Sequence, residues 1–119
     1  VTDHTFTVNL PSEGAEVPVL RVAGDLDYHT APRLREALEA LPLAPGGGAV
    51  LDVTDLNYCD STGITVLIAG YRRAQAAKSS IVLAGLNPDL TRVFEITGLD
   101  QVFTFHATAE EAVKALREG

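Results

Sequence analysis

Three short apolar runs, Val17–Val22, Val50–Val53 and Ile81–Ala84, are separated by amphipathic stretches of helical length. That alternation limits the possible folds more than any other feature of the chain. Strands joined through helices pair in parallel by right-handed crossovers, and the helices must then cover the sheet. Ahead of them, Thr5–Leu10 reads as a strand with Phe6, Val8 and Leu10 on one side. Pro11-Ser12-Glu13-Gly14 turns it back, and a link so short makes the opening pair antiparallel.

The intervening helices carry their own start and stop signals. Thr30 reads as an N-cap with Pro32 in the first turn, ahead of an apolar stripe of Leu34, Ala37, Leu38 and Leu41. Two prolines and three glycines between Pro42 and Gly48 end that helix. After Val53 and a short polar link, Asp60-Ser61-Thr62 opens a second helix, with Ile64, Leu67, Ile68 and Tyr71 as its expected buried face. Asn87-Pro88 opens a third with Leu90, Val93 and Phe94 inward, and Gly98 suits the left-handed residue that closes it. Val102–Phe105 reads as a last strand. Thr108 and Glu111 form a capping box ahead of Ala112, Val113 and Leu116. The expected order is β-β-α-β-α-β-α-β-α: an α/β fold, one domain over residues 1–119, with a mixed, mostly parallel sheet covered by about four helices.

Composition narrows the function classes. Sixteen acidic against nine basic residues give a formal charge of −7, which disfavours nucleic acid and anionic membrane as partners. Cys59 stands alone, so neither an internal disulfide nor a cysteine-rich metal site is expected. No stretch approaches the ~18–20 apolar residues of a membrane-spanning helix, and no signal peptide pattern stands at the start. The cytoplasm is the expected location.

Functional groups in such sheets gather at the carboxyl ends of the parallel strands. That end receives Asp25 and Asp27 from one loop, Asp60 and Ser61 from the next, and Asn87 from the third. Ser61 falls at the positive end of a helix, where free N–H groups and the helix dipole favour added negative charge. Nucleophilic catalysis is not expected there: no spacing brings His4, His29 or His106 to Ser61, and with Cys59 and Gly63 as the flanking residues the Gly-x-Ser-x-Gly elbow is absent, its first glycine being Cys59. Loop aspartates more often end strands and cap helices than hold a metal, and Gly46-Gly47-Gly48 lacks the Lys-Ser or Lys-Thr of a phosphate loop. No metal or cofactor is expected. Arg72 and Arg73 are expected on a solvated face, and Cys59 is expected buried.

Taken together, Gly24-Asp25-Leu26-Asp27-x-x-Thr30-Ala31, the strand Leu51-Asp52-Val53, Leu56-x-Tyr58-x-Asp60-Ser61-Thr62-Gly63-Ile64 and Phe94-x-x-Thr97-Gly98-Leu99-x-x-Val102-Phe103 resemble the STAS domain of bacterial anti-sigma factor antagonists. The likeness runs over nearly the whole chain. It implies a protein switch and not an enzyme. The unmodified antagonist binds an anti-sigma factor, usually a serine kinase, and so frees a sigma factor. The kinase phosphorylates the serine of the Asp-Ser motif, here Ser61, and the complex dissociates; a PP2C-type phosphatase restores binding. By position Asp27, Asp60, Ser61, Thr62, Gly63 and Ile64 fall in the contact surface. Gly63 would let a kinase approach closely, so Gly63→Val is expected to slow phosphorylation more than it harms folding.

Two residues depart from the family pattern. Ile64-Thr65 stands where Leu-Gly is frequent, and Cys59 replaces a more usual Met or Leu. Within the resemblance, the alternative is a scaffold or regulatory subunit of a stress-signalling assembly; another is the cytoplasmic piece of an anion transporter. An enzyme or nucleotide-binding protein using the acidic cluster is the rival of a different class. The even spread of charge suggests a monomer when free.

Overall fold

The computed structural model describes residues 6–11 and 14–118. Its elements run β1 (Thr7–Asn9), β2 (Val19–Leu26), α1 (Ala31–Glu39), β3 (Gly48–Asp52), β4 (Leu56–Cys59), α2 (Ser61–Ala76), β5 (Ser80–Ala84), α3 (Pro88–Ile96), a 3₁₀ turn (Leu99–Gln101), β6 (Phe105–His106) and α4 (Ala109–Glu118). One six-stranded sheet has the order β1-β2-β3-β5-β6, with β4 also paired to β2. β1 is antiparallel to β2 and the remaining pairings are parallel. The mixed α/β architecture expected from the alternation is therefore present. The expected Thr5 and the middle of the Pro11–Gly14 turn lie outside the described residues.

Alternation along the strands sorts side chains onto two faces. Ala49, Leu51, Ile81 and Leu83 join the main core with Leu34 and Leu38 of α1, Val66 and Leu67 of α2, and Leu90 and Phe94 of α3. Val50, Val82 and Ala84 point the other way and meet Ala112 of α4, with Val113 and Leu116 at the margin. Three helices thus cover one face and a single helix the other.

Several details depart from the sequence reading, each for a local reason. Leu10 is not on the inner side of β1 but 67% exposed, because the strand ends at Asn9. β2 does not stop at Val22; it runs to Leu26 because a third partner, β4, extends its ladder. Only Phe105 and His106 remain strand in the last apolar run, since the N–H groups of Val102 and Phe103 both bond back to the Leu99 carbonyl. The capping box is one-sided: Glu111 N–H donates to Thr108 Oγ at 3.1 Å, while the Glu111 carboxylate faces the Thr108 hydroxyl. On α2 the buried stripe is Gly63, Val66, Leu67, Gly70 and Ala74; of the expected face, Ile64, Ile68 and Tyr71 are only half-buried. Small residues win the centre because α1 comes so close that a Cβ at Gly70 would lie 3.0 Å from Leu38 Cδ1. Arg73 is not simply solvated either. Its guanidinium donates to the Leu38 carbonyl at 2.9 Å and reaches that of Leu41, satisfying carbonyls that the end of α1 leaves free.

Candidate functional site

The element missing from the sequence reading is the one that builds the site. β3 and β4 are successive pieces of one jogged strand, closed by a turn in which Leu56 N–H donates to the Val53 carbonyl at 3.1 Å. β3 pairs with the first half of β2 and β4 with the second, where Asp25 faces Tyr58 and Leu26 faces Cys59. The register shifts between Gly24 and Asp25, and Gly24 takes φ 95°, a left-handed bulge conformation that disfavours a side chain. Asp60 N–H then donates to the Leu26 carbonyl at 3.0 Å. The Asp27 turn and the start of α2 therefore leave the sheet side by side. Asn87 fastens the same corner, its Nδ2 donating to the Leu56 carbonyl while its Oδ1 caps α3 through Leu90 N–H.

Asp27 organises the first loop. Its Oδ1 accepts from His29 N–H at 2.9 Å and Thr30 N–H at 3.1 Å, so this aspartate, and not the Thr30 side chain, caps the entry to α1. The Thr30 hydroxyl instead donates to the Asp25 carbonyl at 2.8 Å. Burial alone would raise the Asp27 carboxyl, but the N–H groups of Thr30 and His29 and the Thr30 hydroxyl hold it below the ordinary carboxylate value.

Asp60 plays the equivalent part for α2, accepting Gly63 N–H on Oδ1 at 2.9 Å. Ser61 is the first residue of this 16-residue helix and is exposed. Its hydroxyl has no hydrogen-bond partner among the described residues, and neither His29 nor His106 bonds to it. Thr62 beside it is half-buried, as is Ile64 one turn on, which packs against the core. Thr65 bonds back to the Ser61 carbonyl at 2.9 Å and is exposed one turn beyond the serine. Removing the Asp60 cap should lower stability by about 1 kcal/mol in Asp60→Ala, with Asp60→Asn close to wild type, as read by urea unfolding.

Gly63 differs from the expectation placed on it. It is buried, and a Cβ there would lie 2.6 Å from Leu26 Cγ, 2.9 Å from Leu26 Cδ2 and 3.0 Å from Cys59 Sγ. The space it leaves is filled by its own core, not offered to a visitor. Cys59 is 7% exposed, and its thiol is pushed up to about 12 by burial and then by the Asp60 charge. Thiol reagents at pH 8 should therefore label Cys59 only as fast as the protein opens, with a fast burst only in denaturant.

Two exposed aromatics at this corner were not singled out in the sequence. Tyr28, 65% exposed, stacks on His29 with ring centroids 4.1 Å apart, and Tyr58, 52% exposed, stands opposite Asp25 on β4. Recognising β4 would have found Tyr58, which must face away from its buried neighbour Cys59. Among the described residues, no three of His, Cys, Asp and Glu are placed to hold a metal ion, and no helix is long and apolar enough to cross a membrane.

Comparison with known proteins agrees with this fold. The profile of the "Mlab, STAS domain" family matches residues 10–108. The anti-sigma-B factor antagonist of Listeria monocytogenes is 41% identical over 81 residues, covering 68% of this chain and 71% of that protein. An anti-sigma factor antagonist from Mycobacterium paratuberculosis superposes with a TM-score of 0.82 at 26% identity, over 98% of this chain and 97% of the other. The Bacillus cell fate determinant SpoIIAA in its phosphorylated form shares the fold, with a TM-score of 0.68 at 23% identity over 92% and 98% of the two chains. The chain belongs to the STAS domain family of anti-sigma factor antagonists.

Proposed function

We propose that this chain is a phosphorylation-controlled antagonist. Its unmodified form binds an anti-sigma factor that is also a serine kinase, and so releases a sigma factor; phosphate on Ser61 abolishes that binding, and a PP2C-type phosphatase restores it. The single observation that carries this reading is the position of Ser61: exposed, with an unengaged hydroxyl, at the first residue of a long helix. A phosphate there meets the unpaired N–H groups of the first turn. The contact surface combines Asp27, Asp60, Ser61, Thr62 and Ile64, with Gly63 supporting it from below. That SpoIIAA, a protein of the same fold, has been described in a phosphorylated form supports the assignment. The switch is proposed to work in the cytoplasm, as one domain.

Incubation with ATP, alone and with a co-expressed anti-sigma kinase, tests the proposal. Phosphate is expected on Ser61 with the kinase only, and none in Ser61→Ala. Modification of another residue, or ATP turnover by the protein alone, would overturn it.

A further inference from the structure

The last apolar run leaves β5 incompletely paired. In β5, Ser80 N–H donates toward β3, to the Gly47 carbonyl, so Ser80, Val82 and Ala84 face that neighbour. The odd positions face the other edge: Leu83 N–H donates to the Thr104 carbonyl and Gly85 N–H to that of His106. Ile81 should be next along this edge, but the chain that would meet it has coiled into the 3₁₀ turn, with Val102 and Phe103 bonded to Leu99. Among the described residues, neither the N–H nor the carbonyl of Ile81 has a ladder partner. Ile81, itself 4% exposed, is one of the residues lining a cavity of 440 Å³ at the sheet edge, between Tyr71 and Gln75 of α2 and Leu116 of α4. Ser79 Oγ, also in that wall, is buried without a hydrogen-bond partner.

Unpaired buried backbone groups are rare enough to need an account. We propose that this edge of β5 is a peptide-binding site, which takes a short extended segment of a partner protein as an added strand next to Ile81. A strand residue presents its N–H and carbonyl on the same side, and another extended backbone answers both at once, as in strand addition at exposed sheet edges. No Asp, Glu, Lys or Arg lines the cavity, although the chain carries a net charge of −7. The inserted residues are therefore uncharged, since a buried charge there would find no opposite partner. The site lies toward the far end of α2 from Ser61, about 15–21 Å along the helix at 1.5 Å per residue from Ser61 to Tyr71 and Gln75. It is thus a second docking point, separate from the phosphorylation switch, and stands whether or not Ser61 is modified.

Amide-resolved NMR tests this with a blocked, uncharged peptide, acetyl-Thr-Val-Thr-Val-Thr-amide, as the probe. In the free protein the Ile81 amide should exchange with solvent far faster than that of Leu83. Titration to millimolar peptide should shift the Ile81 amide saturably and slow its exchange. Methylating the central peptide nitrogen should weaken binding about tenfold, the order of one lost hydrogen bond. Ala115→Phe, a change at an exposed wall position, should block the probe, while Ser61→Asp should leave it unaffected. An Ile81 amide as protected as Leu83 in the free protein, no saturable shift at Ile81, or equal binding by Ala115→Phe in a folded protein would each overturn the proposal.

Discussion

Ser61→Asp is expected to weaken binding to the anti-sigma partner at least a hundredfold, while the melting temperature stays within about 3 °C of wild type. The two halves of this result have different causes. Within the molecule, a carboxylate at the first position of α2 gains roughly 0.3–1 kcal/mol from the helix start and loses a comparable amount to Asp60. Little net change in stability follows. Across the proposed interface, the same charge replaces a hydroxyl, and where it is left unneutralised or meets a like charge the cost is several kcal/mol. A hundredfold corresponds to ~2.7 kcal/mol, so local repulsion suffices without rearrangement of the fold. True phosphate, at about −1.5 to −2 charges, should act more strongly than the aspartate. Ser61→Ala should keep binding and lose modification. Calorimetric titration with the kinase decides it: wild-type affinity for Ser61→Asp would remove the electrostatic account of the switch.

The acidic side chains nearby sharpen that expectation. Asp27 and Asp60 each commit one carboxylate oxygen to the backbone, which fixes where their charges stand relative to Ser61. Because both loops are tied by short hydrogen bonds to the end of β2, the corner is pre-ordered, and a binding partner need not immobilise it. Tyr28 and Tyr58 add exposed aromatic surface near the end of β2. Amphipathic rings of this kind favour protein contacts.

How much of this was legible in the sequence follows from the range of the forces involved. Helix starts were readable at Asp60 and Asn87 because a capping oxygen acts within three residues of itself. Uniform runs such as Ile81–Ala84 were readable because both faces of a central strand are buried. β4 was not, since Leu56-Asn57-Tyr58-Cys59 is half polar and becomes a strand only by pairing with residues some thirty positions earlier, as in Gly24 with Leu56. The α2 face misled for a related reason. Periodicity weights large apolar residues, whereas the close approach of Leu26 and Cys59 on the sheet selected Gly63 and that of Leu38 on α1 selected Gly70, neither of which carries a hydropathy signal. The same blindness affected Arg73, whose role depends on where α1 happens to end.

Gly63 is where that difference has the largest consequence. Gly63→Val is expected to unfold the protein or lower its melting temperature by roughly 10 °C or more, not to act first on phosphorylation. The helix leaves the new side chain no alternative direction, because Cβ is fixed by the backbone and points at Leu26 and Cys59, both buried. With contacts at 2.6 Å and 3.0 Å, even one methyl forces the buried Leu26 side chain, or the elements that carry it and Gly63, to shift. Overpacking of this kind costs about 1–3 kcal/mol or more. Gly63→Ala should show a smaller loss of the same sign, about 1 kcal/mol or more, and the change Leu26→Ala in that background should recover part of it. A double-mutant cycle in urea measures the coupling directly. Additive effects of the two changes would mean that Leu26 does not bear the contact. A Gly63→Val protein as stable as wild type yet slow to be phosphorylated would return this glycine to the docking surface.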